Sequence, residues 1–90
     1  MIRTVLLGGR EGLHMRAAAR IAAAAARQPV PVTVRTLSRP AVPADSALSL
    51  LSLGALCGTE LILEAYGRGA DVALENLAVL LATDPDVARA

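Results

Sequence analysis

The chain reads as an α+β fold: a four-stranded antiparallel sheet with three helices on one face, in the order β-α-β-β-α-β-α. Three observations predict it. Short β-branched and aliphatic runs alternate with Ala- and Leu-rich stretches at helical spacing. The chain has 90 residues, enough for a single modest core, so residues 1–90 form one domain. Hydrophobic residues make up 54% and aromatics 1%, so Leu, Val, Ile and Ala must fill that core, and one sheet covered by helices buries a single aliphatic layer.

Ile2 to Leu7 reads as the first strand, stopped by Gly8-Gly9. Arg10 to Leu13 is a loop. A helix follows from about Met15 to Arg27, strong in intrinsic propensity because it is rich in alanine. Gln28-Pro29 ends it, since a residue before proline is biased away from helix. Val30 to Leu37 is the second strand, and Ala41 to Pro43 a short third one. Pro40 and Pro43 lack ladder donors, which places that strand at a sheet edge. Asp45 or Ser46 caps a short helix reaching about Leu53, near Gly54. Thr59 to Tyr66 is the fourth strand, with Leu61, Leu63 and Ala65 on one face and Glu60, Ile62 and Glu64 on the other. Gly67-Arg68-Gly69 turns into a last helix, Ala70 to Ala82, with the stripe Ala70, Ala73, Leu74, Leu77, Leu80 and Leu81. Residues 83–90 read as a frayed tail.

Composition excludes several functions. Base-stacking surfaces need aromatic side chains, and Tyr66 stands alone. The net charge of +1 gives no field for a polyanion, so no nucleic-acid partner is expected. All nine basic residues are arginine, which reads as codon bias. Cys57 has no partner for a disulfide or a metal site and reads as a small, buried or half-buried apolar residue. The run Val5 to Leu7 is too short for a signal segment and no stretch has the length of a membrane span. A cytoplasmic monomer without metal or cofactor is the expectation.

His14 is the one histidine, placed just before a helix. A helix start offers unpaired N–H groups and partial positive charge, which suit an anion. Gly12 lets the backbone turn closely there. Arg16 brings a guanidinium to the same turn, where cations are disfavoured by the helix dipole and gain most from a bound phosphate. A neutral imidazole here can take a phosphoryl group on a ring nitrogen and pass it on. From spacing alone, a surface or capping histidine is the competing reading.

Gly12-Leu13-His14-Met15-Arg16-Ala17-Ala18 resembles the active-site motif of the HPr family, histidine phosphocarriers of the sugar phosphotransferase system. A second match is Ser46 to Gly54 followed by Gly58-Thr59-Glu60, similar to the family's serine-led short helix and its entry to the fourth strand. Glu64-Ala65-Tyr66-Gly67 and the helix after it also fit. The resemblance implies an open-faced β-sandwich and a phosphoryl carrier working through phosphohistidine, not a free-standing enzyme. It implies that His14 accepts the group from phosphorylated enzyme I and passes it to the IIA components of sugar permeases. Arg16 would stabilise the phosphohistidine; on the helix-start reading above, the backbone N–H groups at Arg16 and Ala17 bind the phosphate. Ser46 would be a regulatory phosphosite for an HPr kinase/phosphatase.

Three positions depart from the motif. Met15 stands where a small residue is usual, Ala17 where proline is usual, and Asp45 where many relatives carry a basic residue beside the serine. A phosphate on Ser46 would be repelled by Asp45, and an N-cap role for Ser46 competes with the regulatory one. Arg16, Arg20 and Arg27 fall on one helical stripe, which reads both as a solvated face and as a guide for acidic partners. Met15, Leu48 and Leu51 form an apolar docking patch near His14, or Leu48 and Leu51 belong to the core. A regulatory protein-interaction module with reduced or specialised transfer is the alternative function. Labelling by phosphoenolpyruvate and enzyme I, lost in His14→Ala, separates the two. An acyl-phosphate hydrolase would need a residue to position water, and Asn76 is the sole asparagine.

Overall fold

Antiparallel pairing organises the chain. The computed structural model describes residues 1–83; the rest of the expected tail, from 84 on, lies outside the described residues. The elements are β1 (Ile2–Leu6), α1 (Met15–Ala26), β2 (Thr33–Arg35), β3 (Val42–Pro43), α2 (Ala47–Leu51), β4 (Glu60–Glu64) and α3 (Ala70–Ala82). The sheet runs β1-β4-β2-β3 with every neighbour antiparallel, so the first strand lies beside the last. The three helices cover one face, as the sequence predicts.

Local chemistry explains where the elements stop. β2 is much shorter than the expected Val30 to Leu37, because Pro31 offers no N–H and restrains Val30. Leu37 lies in the following turn and is exposed. β3 occupies the edge that its prolines require. Ser46, not Asp45, caps α2: its hydroxyl accepts from the Ser49 N–H at 3.2 Å. α2 ends at Leu51 instead of Leu53, and the chain leaves through tight turns, Leu53 N–H to the Leu50 carbonyl and Gly54 N–H to that of Leu51.

The core lies between sheet and helices. Leu61 and Leu63 of β4 and Val34 of β2 are fully buried, opposed by Ala18 and Ile21 of α1, Leu50 of α2 and Leu74 and Leu77 of α3. Alanines on α1 and α3 allow the helices to approach closely without aromatic filler. Ile62 keeps the face its alternation predicts, whereas the stripe of α3 differs from the sequence pattern. Ile62 is buried on the open face, because Thr4 of β1 and Arg35 of β2 flank it in register. On α3 the packed arc takes in Ala78, and Leu80 is displaced to the rim, 39% exposed. Cys57, expected at least half-buried, is exposed in the turn before β4, since that turn is too tight to tuck its side chain under the sheet.

β1 is locked to α3 at its far end. The Gly8 N–H donates to the Leu81 carbonyl at 2.9 Å, and a Cβ on Gly8 would stand 1.9 Å from the Ala82 carbonyl oxygen. Arg3 of β1 pairs with Glu75 of α3 at the surface.

Candidate functional site

The loop from Gly9 to Leu13 sets His14 at the start of α1. The Gly12 N–H donates to the Gly9 carbonyl at 3.0 Å, closing a tight turn. Gly12 has φ 76°, and a Cβ there would meet the Ala55 carbonyl oxygen at 2.8 Å. Only glycine fits both conditions. The buried Leu13 anchors the loop in the core, and its N–H donates to the Ala55 carbonyl at 3.0 Å. The segment before β4 therefore braces the loop that carries the histidine. Ala55 and its exposed neighbour Leu56 were invisible to motif reasoning; their one signal is the pair of glycines, Gly54 and Gly58, that bracket an irregular stretch.

His14 is the N-cap of α1, with extended backbone (φ −89°, ψ 175°). Its carbonyl accepts from the Ala18 N–H at 2.8 Å and its Nδ1 accepts from the Ala17 N–H at 3.3 Å. The capping reading and the anion-site reading thus describe the same side chain. Because Nδ1 accepts, its lone pair faces the helix end and the ring proton of the neutral imidazole sits on Nε2. The N–H groups of Met15 and Arg16 precede the first intrahelical bond, and no acidic residue neutralises the first turn. His14 is half-buried, while Met15, Arg16 and Glu11 are exposed around a shallow, open depression.

The remaining candidates group by element. Arg20 and Arg27 are exposed on α1. Arg20 lines, with Ala17, Ile21 and Leu80, a small apolar cavity of about 90 Å³ between α1 and α3. α2 packs against α1, and there the two leucines part: Leu48 is 74% exposed, whereas Leu51 leans on the core. Asn76 is tied to Gln28 at 3.1 Å, beyond the C-terminal end of α1. A helix of 12 residues is about 18 Å long, so Asn76 cannot position water at His14. Among the described residues no helix is long and apolar enough to cross a membrane.

Comparison with known proteins agrees with this geometry. The family model described as "PTS HPr component phosphorylation site" matches residues 2–83. The phosphocarrier protein HPr of Streptomyces coelicolor is 44% identical over 80 residues, 89% of this chain and 86% of that protein. The crystal structure of HPr from Bacillus anthracis superposes with a TM-score of 0.83 at 26% identity, over 90% of this chain and 95% of that one. HPr from Thermoanaerobacter tengcongensis gives 0.81 at 27% identity, over 90% of each chain. A family-model match over residues 2–83, a relative at 44% identity and a superposition at a TM-score of 0.83 lead to one assignment: the chain belongs to the HPr family, the phosphocarrier component of the phosphotransferase system.

Proposed function

We propose that His14 takes a phosphoryl group from phosphorylated enzyme I and delivers it to IIA components of sugar permeases, in the cytoplasm and as a monomer. The observation that carries this reading is the Nδ1 of His14 aimed at the N-terminus of α1. The Nδ1 lone pair attacks phosphorus, an N–P bond forms, and the bond from phosphorus to the donor breaks. The ring keeps its Nε2 proton, so no base is required. The new phosphoryl oxygens accept hydrogen bonds from the Arg16 and Ala17 N–H groups and from the Arg16 guanidinium, in the field of the helix dipole. In the second half-reaction the imidazole leaves and the group moves to the acceptor.

Met15 and Leu48 supply an exposed apolar contact and Arg20 and Arg27 an electrostatic guide, which acts mainly on association rate. Ser46 is the candidate for a kinase, though its hydroxyl already holds the start of α2 and Asp45 adjoins it. Incubation with phosphoenolpyruvate and enzyme I tests the proposal. An acid-labile phosphate is expected on the wild type and not on His14→Asn, a control that keeps a capping side chain where alanine would not. Arg16→Ala is expected to fold normally, within about 0.5 kcal/mol, and to transfer more slowly. Absence of label on the wild type would leave the interaction module as the better account.

A further inference from the structure

The hydrogen bond that orients His14 comes from a residue outside the motif's usual pattern. Ala17 stands where the motif usually carries proline, and a proline has no N–H to give. In this chain the Ala17 N–H is present, 3.3 Å from Nδ1 of His14, at the third position of α1. N–H groups at that position have no intrahelical acceptor, so the donor is committed to the site alone. Its direction is fixed, because Ala17 is buried against the core beside Ala18.

We propose that the Ala17 N–H is a positioning group that makes phosphorylated His14 more persistent than the same site would be without it. The inference rests on His14 being the phosphoryl acceptor. In the resting protein the N–H donates to the Nδ1 lone pair, holds the ring in one rotation and selects the Nε2–H tautomer. When Nδ1 bonds to phosphorus its lone pair is consumed, and a phosphoryl oxygen takes its place as the acceptor of this fixed N–H. A hydrogen bond to an ionised oxygen is roughly twice as strong as one between neutral partners. The exchange therefore favours the phosphorylated form, and release to an acceptor must break the stronger bond.

Ala17→Pro removes this N–H and nothing else polar, at a first-turn position that leaves no helical hydrogen bond broken. Ala17→Gly keeps it. Two measurements on both variants decide the matter, with helicity checked by circular dichroism. The ¹⁵N spectrum of unphosphorylated protein reports the His14 tautomer, expected to be Nε2–H in the wild type and Ala17→Gly and mixed in Ala17→Pro. After labelling with enzyme I, Ala17→Pro should lose its phosphate roughly tenfold faster, the size of a difference between neutral and charged hydrogen bonds. A folded Ala17→Pro with unchanged tautomer and lifetime overturns the proposal, as does Ala17→Gly behaving like proline. If no variant accepts phosphate, the carrier reading fails, while the tautomer comparison still decides the role of Ala17 in orienting the ring.

Discussion

At the scale of single residues, the structure gives some side chains two duties and others none. His14 caps a helix with the same nitrogen that, in the proposed function, attacks phosphorus, so the cap and acceptor readings fall on one position. The sequence made His14 and Arg16 legible because a turn glycine, a lone imidazole and a dipole-opposed arginine coincide. It could not place Cys57, whose exposure depends on how tightly the turn into β4 closes, nor Leu80, whose register differs from the buried arc by a fraction of a helical turn. Tyr66 offers a clean measurement, being the one aromatic residue of the chain. Its hydroxyl donates to the Glu64 carboxylate, and that bond, with slight desolvation and the negative charge, raises its pKa above the ordinary 10.0. The neutral phenol is the bonded form, so this contribution is complete below pH 10.0 and fades as pH rises through the raised value. A near-ultraviolet titration should show one late phenolate transition, moving back towards the ordinary range in Glu64→Gln. A transition already at the ordinary value in the wild type would remove the interaction from the account.

Among elements, boundaries followed local chemistry wherever a proline, a glycine or a capping hydroxyl was decisive. α3 has the bounds its pattern predicts, from Gly69 at its cap to Ala82. β3 lies at the edge its prolines demand. β2 was overestimated because period-two patterning in Val30, Val32 and Val34 ignored the missing donor of Pro31. The bracing of the His14 loop was not legible at all, for it depends on a carbonyl, that of Ala55, and carbonyls leave no trace in a sequence. This brace makes a prediction. Gly12→Ala must place a side chain at positive φ, costing about 1–2 kcal/mol, and must also push the Ala55 carbonyl away. Loss of phosphoryl acceptance is expected to exceed the loss of stability, because the displaced loop ends on His14. Thermal unfolding and phosphoryl transfer measured together check this, and a variant that melts early yet accepts phosphate normally would show that the brace serves stability alone.

For the molecule as a whole, fold class and the order of elements along the chain were readable because one aliphatic layer, four short strands and three helical stretches admit few arrangements. The order of strands in space was not, since nothing in the pattern of β1 says that its neighbour is β4. The joint at Gly8 is where this arrangement is least tolerant. Gly8→Ala sets a methyl group against the Ala82 carbonyl and is expected to cost about 1–3 kcal/mol as an overpacked contact, read as a lower melting temperature. An unchanged melting temperature would mean that the end of α3 yields freely. The same joint bears on how the fold closes. β1 is the first of the described elements, yet both its partners, β4 and α3, are the last of them. The sheet is therefore completed only by closing the longest loop among the described elements, which slows folding relative to local contacts.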